Sequence, residues 1–76
     1  MAWRTGDQVH IVLDGVLVDG VVTLASPNGR SLMLAFNAVL GGHVGMMPVL
    51  QHDDGVFRSL VSEAVVELTR NREWPA

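Results

Sequence analysis

Turn signals interrupt this chain so often that few stretches are long enough to make a helix. Asp14-Gly15, Asp19-Gly20, Ser26-Pro27-Asn28-Gly29, Gly41-Gly42 and His52-Asp53-Asp54-Gly55 punctuate 76 residues, and the runs between them are rich in Val and Leu. Each signal has a backbone reason. A two-residue type I′ turn needs positive φ at both central positions, which Asp-Gly supplies. Proline pre-sets φ at the second position of a turn, Asn tolerates the left-handed region, and Gly removes the Cβ penalty, so 26–29 is the clearest turn and Gly29 should hold positive φ. Short Val/Leu runs between such signals predict hairpin-linked antiparallel strands.

The first run, over 8–13, alternates: Val9, Ile11 and Leu13 share one face, and Gln8, His10 and Val12 the other. The next spans 16–25 and contains Asp19-Gly20. Two tight hairpins cannot follow each other with three residues between them, so one Asp-Gly is a turn and the other a glycine bulge that bends a long strand. Over 31–40, Leu32, Leu34 and Phe36 oppose Ser31, Met33, Ala35 and Asn37. Leu, Met and Ala also favour helix, and Ser31 can serve as an N-cap. Such a helix would be apolar nearly all round, so a strand is expected, with room for one helical turn over 37–40. The run over 44–51 contains Pro48, which cannot donate to a ladder and so marks an edge or a bulge. A strand over 56–61 follows. The stretch 63–70 fits a helix capped by Ser62 (Val61, Val65, Leu68) or a strand (Ala64, Val66, Leu68), and paired Val65-Val66 with Thr69 favours the strand. Residues 1–6 and 71–76 read as frayed tails of a single domain.

Composition then becomes a constraint. Hydrophobic residues make up 49% of the chain and eight glycines add to them, above the roughly 45–50% that both together reach in ordinary domains. A domain this small hides only about 60% of the surface its unfolded chain exposes. Val and Leu must therefore appear outside, and contiguous exposed apolar area marks interfaces. A homo-oligomer or a protein partner is expected. With no cysteine, neither disulfides nor thiolate metal sites stabilise the fold. A net charge of −3, with five Arg and no Lys, argues against a surface that tracks phosphates. The Lys- and Tyr-free composition suggests a GC-rich bacterial source. The start, Met1-Ala-Trp3-Arg4, lacks the apolar core of a signal peptide, and no apolar run approaches the ~18 residues of a membrane span. A cytoplasmic location is expected.

Few residues suggest chemistry. His52-Asp53-Asp54 offers imidazole and carboxylates, but neighbours in sequence seldom converge on one ion, and a polar hairpin tip explains them. If Asp14-Gly15 is the hairpin turn, counting back sets His10 opposite Asp19, a surface contact or a proton-handling pair. Ser59 and Ser62 have no histidine nearby in sequence, so no nucleophile stands beside a base. Gly41-Gly42-His43-Val44-Gly45 lacks the Lys of a phosphate loop. Neither a metal nor a cofactor is implied. Met46 and Met47, beside Pro48 and across a hairpin from Phe57 and Arg58, suggest a partner surface, because Met adapts to irregular contacts and Arg and aromatics favour interfaces. On a strand one of the two Met side chains must face outward.

Gly6-Asp7-Gln8-Val9-His10-Ile11, followed by Asp19-Gly20-Val21-Val22, resembles the opening of small SH3-like barrels, including the KOW and Tudor types. There a Gly-Asp pair precedes strand one and a Gly-Val pair opens strand two. The resemblance covers the chain up to about residue 25. It implies a barrel of five or six strands that binds nucleic acid or peptides. The expected fold is therefore all-β, a small antiparallel barrel or meander of five or six short strands. The expected function is a non-catalytic interaction module, with a nucleic-acid-binding barrel and an oligomeric enzyme sharing a site between subunits as alternatives.

Overall fold

The computed structural model describes residues 3–71. Six strands follow in order: β1 (Gln8–Leu13), β2 (Val16–Ala25), β3 (Ser31–Leu40), β4 (His43–Gln51), β5 (Phe57–Ser59) and β6 (Val65–Arg70). Each pairs antiparallel with its successor, and β6 pairs back with β1, closing a small barrel. At this level the architecture is consistent with an SH3-like barrel. The described residues include no helix, and so none long and apolar enough to cross a membrane.

Alternation decides the core. Val9, Ile11 and Leu13 of β1 point inward, joined by Val22, Leu32, Leu34, Phe36, Leu40, Met47, Val49, Phe57 and Val66. Each such side chain contributes roughly 1.5–3 kcal/mol of burial. Of the stretch 63–70, Val65–Arg70 is the strand expected there and 63–64 belong to the turn before it: Val66 is buried, and Ala64 and Leu68 pack against the core.

The turns form where the local chemistry placed them. Asp14 and Gly15 have φ of 51° and 77°, and Gly41 and Gly42 have 54° and 82°, so both are two-residue hairpins with positive φ throughout. Gly29 has φ 71°. In its turn the Gly29 N–H donates to the Ser26 carbonyl, and Asn28 Oδ1 accepts from the Arg30 N–H.

Three expectations need correction. Gly20 is not a bulge: it pairs in register with Val9 and Phe36, and β2's irregularity falls between Val22 and Leu24. Gly20 is glycine because a Cβ there would lie 2.6 Å from the Ala35 carbonyl oxygen and 2.7 Å from Ile11 Cδ1. The end of β3 makes no helical turn, but its pairing with β4 slips between Ala35 and Val39. β5 stops at Ser59 rather than Val61. There the Ser59 hydroxyl accepts from the N–H groups of Val61 and Ser62, and Glu63 takes φ 61°, which curls the chain toward β6. Pro48 is not in a bulge; it marks the end of the stretch of β4 that only β3 pairs. It pairs with Met33, and its carbonyl accepts from the Leu60 N–H where the β4–β5 ladder ends.

That ladder is short. Residues 49–51 of β4 pair with β5, whereas 43–47 pair with β3 alone.

Near the first strand, Trp3 packs against the core and the Gly6 N–H donates to the Val22 carbonyl. The outermost parts of the expected tails, residues 1–2 and 72–76, lie outside the described residues.

Candidate interaction surface

The registers that bury one face of each strand also fix what the other face presents. On β3, Met33, Ala35 and Val39 point outward against Pro48, Met46 and Val44 of β4. Val21 and Leu24 of β2 extend this face on one side. Leu60 adjoins it on the other, beside Pro48. Val44 is 76% exposed, Val61 72%, Val39 67% and Met46 56%. No charged side chain interrupts β3 or β4. The face around β1 and β6 is mixed instead, carrying Gln8, His10, Asp19, Glu67 and Thr69.

The expected partner residues divide along this boundary. Met46 faces out, whereas Met47 is 0% exposed in the core. Pro48 and Arg58 are partly exposed, and Phe57 is buried beside Val66. Arg58 lies opposite Leu50 at the rim and pairs with Asp54 at 3.3 Å.

Counting from the Asp14-Gly15 turn set His10 against Asp19, and the register agrees. His10 Nδ1 lies 2.7 Å from Asp19 Oδ1. That nitrogen is buried and makes no hydrogen bond among the described residues. The carboxylates of the 52–55 hairpin turn apart. Asp53 meets Arg30 at 3.1 Å, while Asp54 accepts from the Val56 N–H and pairs with Arg58. First the Val56 N–H and then, against the cost of desolvation, the Arg58 guanidinium hold Asp54 below the usual carboxylate range. Asp7 is lowered in the same way. The Arg4 N–H donates to its carboxylate at 2.9 Å, and Arg70, stacked 4.5 Å over the Trp3 ring, meets it at 2.9 Å.

One polar pair corrects the sequence reading that no nucleophile stands beside a base. His43 opens β4 and Ser59 closes β5, and both are buried. His43 Nδ1 lies 2.9 Å from the Leu40 carbonyl, and Nε2 lies 2.8 Å from Ser59 Oγ. A carbonyl can only accept, so Nδ1 carries the proton and Nε2 accepts from the Ser59 hydroxyl. Ser59 Oγ also receives two backbone N–H groups. This oxygen is saturated and shielded, so the pair works as an internal brace where β4 and β5 have no backbone ladder. Alternation counted back from Met47 and onward from Phe57 turns both residues inward, but it does not set them against each other.

A groove of about 410 Å³ opens between the 52–56 hairpin and β6, lined by Trp3, Gln51, Phe57, Val65 and Glu67 among others. Comparison with protein-family models, curated proteins and solved structures gives no match.

Proposed function

We propose that this chain is a non-catalytic interaction module, self-associating or docking on a protein partner through the apolar outer face of β3 and β4. The observation that carries this reading is the uncharged outer row of Val39, Val44, Met46 and Leu60, all more than half exposed. Barrels with one mixed face and one apolar face cover the apolar one, because contiguous apolar area in water is unfavourable. The brace of Ser59 and His43 supports a structural rather than catalytic role for that pair, since its oxygen is spent on hydrogen bonds.

The opening resembles KOW- and Tudor-type barrels, and of the two ligand classes in that group the surface favours a protein. Arg30, Arg58 and Arg70 each face a carboxylate, so they are not arrayed to release counterions from a phosphate backbone. Sedimentation equilibrium at micromolar concentration tests the self-associating form. A mass above 8.2 kDa that Met46→Glu lowers to the single-chain value is expected. Submicromolar binding to duplex DNA or RNA at about 150 mM salt would overturn the reading in favour of a nucleic-acid barrel.

A further inference from the structure

The first half of β4 is an edge inside a closed barrel. The Gln51 N–H donates to Arg30 on the β3 side, and the Pro48 carbonyl accepts from Leu60 on the β5 side. Alternation from this end of β4 sends the peptide groups of odd residues to β3 and those of even residues away from it as far as Met46, where Gly45, at φ 74°, interrupts the extended backbone. The Gly41-Gly42 hairpin agrees, because it commits His43, paired with Leu40, to β3. The N–H and C=O of Val44 and Met46 thus point to the β5 side. No described residue pairs with them there, since the β4–β5 ladder covers only 49–51 and Leu60 takes Pro48.

This edge carries no charge, and its irregularity lies at Gly45 beside the slip of β3 between Ala35 and Val39. Natural edges carry Lys, inward charges or a covering element; here 43–47 reads His-Val-Gly-Met-Met. Its outward side chains, Val44 and Met46, are among the more exposed apolar groups of the molecule, with Leu60 and Val61 beside them. From within, the His43–Ser59 brace and the Leu40 carbonyl hold the segment in place. A rigid edge ordered before binding loses little entropy on pairing.

We propose that a second copy of the chain adds to this edge, β4 against β4 and antiparallel, about a two-fold axis at Gly45. The proposal rests on the reading of the outer face as an interaction surface and names its partner. The register is self-complementary. Gly45 faces Gly45 of the other copy, and each Val44 faces the other copy's Met46. Every peptide group left open at 44 and 46 then meets one at 46 and 44. An isologous contact requires this match, in which one patch satisfies itself. Charge agrees: a chain of net charge −3 approaches its copy most easily through a segment that bears none. Gly45 itself, at φ 74°, brings no side chain to the axis.

Cysteine pairing tests the register, and the chain has no cysteine of its own. Directly opposed residues in a hydrogen-bonded pair lie about 5.5 Å apart at Cα, within disulfide reach, whereas diagonal neighbours lie about 7–8 Å apart, at or beyond its limit. Val44→Cys mixed with Met46→Cys under mild oxidation should give a covalent pair of twice the chain mass. Each variant alone should form at least tenfold less, as should either mixed with Leu17→Cys, whose site is exposed on the mixed face. If Met46→Glu still splits a dimer but cross-linking shows no preference for the 44/46 mixture, the edge register is wrong while the apolar face remains the interface. If the native chain stays at 8.2 kDa throughout the micromolar range, the β4 pairing and the self-associating form of the reading fall together.

Discussion

Removing the Ser59 hydroxyl should be far more costly than its small size suggests. Ser59→Ala deletes one donor to His43 Nε2 and one acceptor shared by the Val61 and Ser62 N–H groups. The two N–H groups belong to a turn at the surface and regain water, losing the ordinary ~0.5–1.5 kcal/mol net of a hydrogen bond. His43 is different. It is buried, its Nδ1–H remains tied to Leu40, and its Nε2 becomes a buried acceptor without a donor. That adds about 1–3 kcal/mol. The sum is roughly 2–4 kcal/mol, a large part of the total that a domain of this size commands at ~0.05–0.15 kcal/mol per residue. At ~4–8 °C per kcal/mol for small domains, the midpoint should fall by about 10–25 °C. Urea unfolding followed by circular dichroism measures the loss. A double-mutant cycle with His43→Ala isolates the pair, and a coupling of about 1 kcal/mol or more is expected. A Ser59→Ala loss below about 0.5 kcal/mol with no coupling would refute the brace and show that water reaches His43.

Met46→Glu and Met47→Glu should separate cleanly: the first leaves a folded chain of single-chain mass, and the second, which buries a carboxylate at a site 0% exposed, unfolds it, as circular dichroism and sedimentation together would show. Gly20→Ala should destabilise by about 2 kcal/mol or more, because its Cβ would press on the Ala35 carbonyl, a backbone atom that cannot rotate aside; an unchanged urea midpoint would count against that contact. Gly29→Val should cost on the order of 1–2 kcal/mol for forcing a β-branched residue to positive φ, read from the same melts. Asp7 and Asp54 both have carboxyls lowered in the folded state, so their contribution is fully present above the unfolded carboxylate value near 3.8 and is lost as pH falls through the lowered folded ones. Stability should therefore decline as pH drops below about 4, and Asp7→Asn should flatten that decline.

What the sequence discloses here depends on how local its cause is. Asp14-Gly15 and Gly29 are legible because a turn's φ values are settled by the residues within it, and one turn fixes a register, which is how His10 meets Asp19 on paper. Gly20 misleads because its reason lies across the sheet, in the Ala35 carbonyl and the Ile11 side chain, and an Asp-Gly in a strand looks the same whether it bends the chain or yields to a neighbour. The end of β5 and the His43–Ser59 brace are hidden for a related cause. Two neutral residues 16 apart carry no pattern until hairpins fold them together.

The stretch over 31–40 is the most instructive ambiguity. Leu32, Leu34 and Phe36 alternate as a strand should, yet Met33, Ala35 and Val39 between them are apolar too, which is why helix and strand both fit. An ordinary surface strand resolves that conflict by placing polar residues on its outer face. This one does so only at Ser31 and Asn37, and its partner β4 departs further with Val44, Met46 and Pro48. The apolar positions that blur the secondary structure in the sequence are the same ones that form the uncharged outer face in the barrel. Their excess has no local purpose: the core is complete without them, closed by Leu34, Met47 and Val49 at 0% exposure. Apolar residues on both sides of a hairpin call for a second layer, and the β4 pairing proposed above would supply it from a second copy of the chain.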